Sequence, residues 1–176
     1  MLVLFGFSLL VAKAALFRKL NNVSYKTLCA YAVVFAARLS SILFYEGYLP
    51  YDKSGDWFYQ SVEAAGLALS LGLLLAVQMG MKTSEKDTFD KELCEKLGFS
   101  SSKVGPLILA IPALALSILL HPNLNNNFLT DIAWTFALYL EAVAIFPQIW
   151  MIHRTREEID PLELNFVCVS FKSLSS

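Results

Sequence analysis

The stretch from Trp134 to Trp150, W-T-F-A-L-Y-L-E-A-V-A-I-F-P-Q-I-W, constrains the fold of this chain more than any other. It is apolar enough to lie in hydrocarbon, yet it carries Glu141 near its middle and the pair Pro147-Gln148 near its end. A carboxylate at that depth costs roughly 2.5–3.5 kcal/mol on insertion scales. A proline also removes a helix hydrogen bond. We therefore interpret this stretch as a functional helix of a membrane protein.

The composition also indicates a membrane protein. Of the 176 residues, 56% are hydrophobic and 16% are charged, against roughly 25% charged in soluble domains. The length predicts a single membrane domain over residues 1–176. The sequence holds no basic block typical of nucleic-acid binding, and no phosphate loop, zinc motif or nucleophile elbow. We therefore expect no enzyme activity, no nucleic-acid partner, and no metal or cofactor.

Hydrophobic runs predict five full transmembrane helices and one partial helix. The five runs cover 1–17, 25–49, 57–81, 104–121 and 129–152, and the partial run covers 162–171. The first run is short for a span, which needs about 20 residues. It could be a signal peptide, because Ala12-Lys13-Ala14 has the small-x-small form, but it lacks a charged n-region and a lysine at a cleavage site is unusual. We favour a first transmembrane helix whose N-terminal end is short or missing.

The distribution of Lys and Arg between the loops predicts the orientation in the membrane. The loops at 18–26, 82–103 and 153–161 carry three, five and two of these residues, whereas the loops at 46–56 and 121–128 carry one and none. The first set is predicted to be cytosolic, and the second to face the lumen or exterior. The N-terminus is then predicted to be lumenal.

Arg38 lies about ten residues, or ~15 Å, from either end of its predicted span. That depth makes snorkelling to the interface difficult and favours a buried partner or a water-filled cavity. Glu141 lies ten to twelve residues from the lumenal end of its own helix, at a similar depth. We therefore expect both charges to face a shared interior, with a purely structural salt bridge as the alternative. Glu63, two turns inside the third span, is expected either to face the same cavity or to reach the interface.

Other residues on the helix of Glu141 extend this candidate site. One stripe at three- and four-residue steps consists of Trp134, Leu138, Glu141, Ile145 and Gln148. Asp131 lies ten residues before Glu141, ~15 Å along the axis and within about 80° of the stripe. An extended tetrapeptide spans ~13–14 Å. It could enter from the lumen with its carboxylate near Arg38, whose guanidinium presents two parallel donors, and a basic residue near Asp131.

Two motifs carry a resemblance to a known family. The string Y-L-E-A-V-A-I-F-P-Q, from Tyr139 to Gln148, resembles the signature of the ER lumen protein-retaining receptors, the KDEL receptor family. The block F-A-A-R, from Phe35 to Arg38, resembles that family's second-helix motif, and the similarity covers about residues 22–160. The resemblance implies an all-α integral membrane fold of seven helices, similar to PQ-loop sugar transporters. About five full spans are then present, and the chain is expected to be truncated before the last helices.

The resemblance also implies a function. Members of the family bind the C-terminal Lys/His-Asp-Glu-Leu-type retention signal of escaped ER lumenal proteins and return them from Golgi to ER. At the matching positions, Arg38 is implied for the carboxylate, Asp131 for the basic end of the signal, and Glu141 for the charge network. Trp134 and Glu63 complete the set of candidate ligand-binding residues.

The pair Pro147-Gln148 corresponds to the PQ motif of the family and is a candidate hinge, where the backbone is freed. The implied location is the ER and Golgi membranes, with several spans. The implied partners are ER-resident proteins bearing a C-terminal retention tetrapeptide, the lipid bilayer, and vesicle coat proteins on the cytosolic face.

Departures from the family pattern leave two other functions open. Leu39 and Ser41 stand where the family usually has Tyr and Asp, which is closer to the receptor-like paralogues of plants and protists. The family's first-helix arginine and histidine have no match here. The alternatives are a small-solute transporter-like membrane protein of the PQ-loop type and a truncated product without ligand binding.

Overall fold

The computed structural model describes residues 2–17, 19–20, 23–44, 56–80, 82–83, 107–123 and 127–155, together with residues 165, 167 and 168. The helices in this part of the chain are α1 (Leu2–Phe17), α2 (Tyr25–Phe44), α3 (Asp56–Gln78), α4 (Leu107–Leu119), α5 (Phe128–Ala144) and α6 (Phe146–Thr155). Two-residue strands, β1 (Lys19–Leu20) and β2 (Lys82–Thr83), pair in parallel. The predicted loop and span residues 45–55 and 84–106, and most of the partial run 162–171, lie outside the described residues.

The helices are apolar along most of their length, as a bilayer core requires. Within the described residues, three helical stretches are long and apolar enough to cross a membrane: Tyr25–Leu43, Trp57–Gln78 and Phe128–His153. Two apolar helices are shorter, Val3–Phe17 and Ile108–Leu119. Helices can span lipid because they satisfy their backbone hydrogen bonds internally. The prediction of an all-α, multi-span membrane protein is confirmed.

Helix α2 packs against both α3 and α5 and contributes more buried hydrophobic residues than any other described helix. Its buried residues Tyr31 and Phe35 meet Phe7 of α1 edge to face, with ring centroids 5.4 and 5.6 Å from that of Phe7. Such pairs contribute roughly 0.5–1.5 kcal/mol beyond the area they bury. The core around these rings also includes Leu73 of α3 and Ile145 at the end of α5. Helix α1, helix α3 and the end of α5 thus share one hydrophobic core with α2.

Gly66 lets α3 approach α2 closely. A Cβ atom at this position would lie 2.7 Å from Cε1 of the Phe35 ring. Phe35 is only 4% exposed, so its ring is held by the surrounding core and has little room to move. The missing side chain at Gly66 therefore sets the distance between the two helices.

The predicted fifth span, 129–152, is not one continuous helix. Helix α5 ends at Ala144 and α6 begins at Phe146, with Ile145 between them. Pro147 has no N–H to offer the carbonyl of Val143 four residues earlier, and that carbonyl accepts the backbone N–H of Ile145. Proline is tolerated in the first turn of a helix, where its missing N–H costs little. The proline therefore divides this span at a defined place.

Candidate functional site

A buried ionic cluster joins three helices. Arg38 of α2 forms an ion pair through Nη2 with Oε2 of Glu141 on α5. Its other terminal nitrogen, Nη1, lies 3.4 Å from Oε1 of Glu63 on α3. Arg38, Glu63 and Glu141 are called the ionic cluster below. The structure thus brings together three of the residues that the sequence selects as candidate ligand-binding positions.

The ionic cluster is almost entirely removed from solvent. The side chain of Arg38 is 12% exposed, and those of Glu63 and Glu141 are each 7% exposed. Charges in such a place are costly unless they are paired, because the low dielectric strengthens both attraction and desolvation. The buried Nε of Arg38 has no hydrogen-bond partner within the described part of the chain. The Nε–H of the guanidinium therefore points at none of the acceptors of the described residues.

The antiparallel arrangement of α2 and α3 explains why Arg38 and Glu63 meet. The Gln60 side chain of α3 donates to the carbonyl of Ile42 on α2 at 3.0 Å. Arg38 lies about one turn before Ile42 on α2, and Glu63 lies about one turn after Gln60 on α3. The contact between Gln60 and Ile42 thus fixes the register that places Glu63 opposite Arg38. On the α5 side, Ser41 Oγ donates to the carbonyl of Thr130 at 3.2 Å and joins α2 to the start of α5.

Asp131 and Trp134 lie nearer the start of α5, away from the ionic cluster. Asp131 is 1% exposed, and its position in the first turn is favourable for a carboxylate because of the helix dipole. Asn127 caps this helix by accepting the backbone N–H of Leu129. Trp134 is half-buried. Asp131 and Glu141 are ten residues apart on one helix, so ~15 Å separates the two carboxylates along its axis.

Gln148 of the PQ motif is fully buried and bonds to the start of α2. Its Oε1 accepts the backbone N–H of Ser24 at 2.7 Å. Ser24 in turn accepts the backbone N–H of Thr27 through Oγ at 3.3 Å, as the N-cap of α2. Sequence reasoning missed Ser24 as a partner of the PQ motif. Its signal is the Ser-x-x-Thr spacing before an apolar run, which predicts a helix start but not the contact with α6.

The described residues contain no group of three His, Cys, Asp or Glu side chains placed to hold a metal ion. Within the ionic cluster, both carboxylates contact the guanidinium of Arg38. The arrangement suits recognition of a charged group in a dry interior. It lacks the paired nucleophile and base that covalent catalysis requires.

A family model described as ER lumen protein retaining receptor matches residues 19–173. The chain belongs to this family. The match includes α2 to α6 and all three residues of the ionic cluster. ER lumen protein retaining receptors are receptors rather than enzymes. The apolar helices agree with a multi-pass membrane protein of this family.

Several curated ER lumen protein-retaining receptors are similar to this chain. The receptor of Caenorhabditis briggsae is 30% identical over 122 residues, which are 66% of this chain and 48% of the relative. Receptor B of Arabidopsis thaliana is 28% identical over 158 residues, 90% of this chain and 63% of the relative. The receptor of Saccharomyces cerevisiae is 26% identical over 137 residues, 78% of this chain and 55% of the relative. The chain therefore spans about half the length of the relatives it matches.

Proposed function

We propose that this chain binds the C-terminal retention tetrapeptide of escaped ER lumenal proteins, of the Lys/His-Asp-Glu-Leu type, and returns these proteins from Golgi to ER. The observation that carries the proposal is Arg38, a guanidinium buried among α2, α3 and α5. An intramembrane arginine is expensive and marks a functional site more often than a structural one. Its planar fork matches a carboxylate better than any other side chain does.

The dimensions of the site support a short peptide as the ligand. The ~15 Å along α5 between Asp131 and Glu141 is close to the ~13–14 Å of four extended residues. With its terminal carboxylate on Arg38, such a peptide would present its basic residue to Asp131. Trp134 lies between these two ends on the same helix and offers a ring to the intervening residues.

The cellular setting follows from this proposal. A retrieval receptor cycles between the ER and Golgi membranes, and its cargo is the set of ER-resident proteins with a retention tetrapeptide. Its cytosolic face then meets vesicle coat proteins. The Lys and Arg of the predicted cytosolic loops, 18–26, 82–103 and 153–161, are the basic surface available there.

The test is a comparison of free-acid and amidated tetrapeptides for binding to the purified chain. The acid form is expected to bind roughly tenfold to a hundredfold more tightly, the worth of a charge-assisted hydrogen bond. Arg38→Lys should weaken binding of the acid, because a point charge cannot reproduce the fork. Arg154→Lys, the same exchange in the predicted cytosolic segment, is the matched control and should leave binding unchanged.

A second measurement examines the far end of the peptide. Asp131→Asn is expected to reduce the preference for Lys or His at the first position of the peptide while the acid form stays preferred over the amide. Equal binding of the acid and amide forms by the unmodified chain would contradict the proposal. That result would favour the transporter-like alternative.

A further inference from the structure

Arg38 already has internal carboxylates on both of its terminal nitrogens. Nη2 is paired with Glu141, and Nη1 with Glu63. A carboxylate ligand needs two donors of the same guanidinium for a bidentate contact. The described chain leaves only Nε without a partner. Each terminal nitrogen still has a second N–H, but an incoming carboxylate that used it would lie beside the carboxylate already bound there. A ligand carboxylate on Arg38 therefore has either to share the guanidinium with Glu63 and Glu141 or to displace one of them.

The contact with Glu63 is the one that can give way. Its 3.4 Å between Nη1 and Oε1 is long compared with about 2.7–2.9 Å for charge-assisted hydrogen bonds. Long contacts of this kind lie at the weak end of the range of hydrogen bonds. Glu141, by contrast, lies on α5 together with Asp131, the proposed partner of the basic end of the peptide. We therefore assign Glu141 to the wall of the peptide site and not to the position that the ligand carboxylate takes.

The charge of the ionic cluster leads to the same conclusion. When both carboxylates are ionised, the cluster holds one positive and two negative charges in a place that is nearly inaccessible to solvent. A third carboxylate beside Arg38 would add repulsion that the single guanidinium cannot offset in a low dielectric. Exchange of one carboxylate for another keeps the number of charges around the guanidinium constant.

We propose that Glu63 is an internal competitor that occupies the place of the ligand carboxylate on Arg38 and is displaced when the ligand binds. The inference rests on the proposed function and assigns Glu63 a role in setting affinity and selectivity. An amidated or otherwise neutral C-terminus of the peptide cannot replace the charge of Glu63 beside Arg38. Only a ligand with a carboxylate at its C-terminus can therefore displace Glu63. The free energy of releasing Glu63 is subtracted from that of ligand binding.

The test uses Glu63→Gln, which keeps the shape of the side chain but removes its charge. The acid-form tetrapeptide is expected to bind this variant about tenfold more tightly than the unmodified chain, with binding of the amide unchanged. Glu63→Asp, with a shorter reach to Nη1, should give a smaller gain and keeps the test open if the Gln variant folds poorly. Ser61→Ala, at an exposed position two residues away on α3, is the control and should match the unmodified chain.

The possible results separate the inference from the proposed function. If the unmodified chain prefers acid over amide but Glu63→Gln and Glu63→Asp bind the acid no better, the competitor role is wrong and the receptor proposal stands. If no variant prefers the acid over the amide, the receptor proposal falls and the inference falls with it. Acid-selective binding by the unmodified chain that becomes tighter in Glu63→Gln would support both.

Discussion

The side chain of Gln148 bonds to the N-cap residue of α2, 124 residues earlier, by accepting the backbone N–H of Ser24 at 2.7 Å. In a capping box, the Glu or Gln that accepts the N-cap N–H lies three residues further along the same helix. Here that place is held by Thr27, and α6 supplies the acceptor instead. The PQ motif is thereby bonded to the start of the helix that carries Arg38.

Replacing Gln148 with Met is expected to lower the stability of the protein by about 1–3 kcal/mol, because a buried backbone N–H is left without an acceptor. The size of the side chain is nearly conserved, so the effect reports the hydrogen bond. Thermal unfolding in detergent measures it. Leu75→Met, at an exposed position of α3, is the control and should change stability by no more than about 0.5 kcal/mol. Equal stability of the two variants would show that the Ser24 contact contributes nothing.

Gly66→Ala is expected to destabilise the contact between α2 and α3. The added methyl group would lie 2.7 Å from the Phe35 ring, and overpacking of this kind typically costs about 1–3 kcal/mol. Gly72→Ala is the matched control on the same helix, because a Cβ there meets nothing within 4 Å. It should be neutral or stabilising by up to about 1 kcal/mol, since Ala favours helix over Gly. Thermal unfolding of both variants in detergent compares their stability. A loss of stability in Gly72→Ala but not in Gly66→Ala would contradict the role of Gly66 in the contact between the helices.

Arg38 and Glu141 are expected to be coupled energetically. Removing Arg38 leaves two buried carboxylates without their cation, and breaking a buried ion pair in this way costs about 3–5 kcal/mol. Removing Glu141 costs less, because Arg38 keeps its contact with Glu63. Arg38→Ala and Glu141→Ala should each lower the folded yield in membranes. The double variant should be less impaired than the sum of the two. Folded yield is measured as the monodisperse peak in size-exclusion chromatography in detergent. Strict additivity of the two losses would mean that the pair contributes no interaction energy.

The sequon Asn22-Val23-Ser24 provides a test of orientation. The excess of Lys and Arg predicts that this segment is cytosolic, so Asn22 is expected to carry no glycan when the chain is made in microsomes. A sequon engineered into the loop at 46–56, with adequate spacing from the membrane, should be modified. Endoglycosidase shifts on gels show both results. A glycan on Asn22 would reverse the predicted orientation of every loop.

The depth of each residue along its helix is enough to predict that Arg38 and Glu141 meet. All helices of one bundle cross the same bilayer, so residues equally far from the membrane surface lie at the same level. Pro147 likewise signals an interruption of its helix, since no side chain can restore the missing N–H. The roles of Asp131 and Trp134 stay predictions, because they depend on how a peptide lies along α5, which the helix positions alone do not determine.

Other features depend on lateral contacts that no single helix encodes. The contact of Glu63 with the guanidinium of Arg38 depends on the rotation of α3 around its axis, which the sequence left open between the cavity and the interface. The need for Gly66 depends on the position of the Phe35 ring on another helix. The Ser24–Gln148 bond depends on how far α6 bends after Ile145. Such contacts follow from packing rather than from hydrophobic periodicity.

The interruption at Ile145 has a mechanical consequence when it is considered with α2. Ser24 is bonded to α6 beyond the interruption, and Ser41 is bonded to α5 before it. Seventeen residues of helix separate these two attachment points, a rod of ~26 Å. Because an α-helix does not stretch, α2 holds α5 and α6 at a fixed angle to each other. That angle can change only if the hydrogen bond of Ser24 or that of Ser41 breaks. Arg38 lies on α2 between these two bonds.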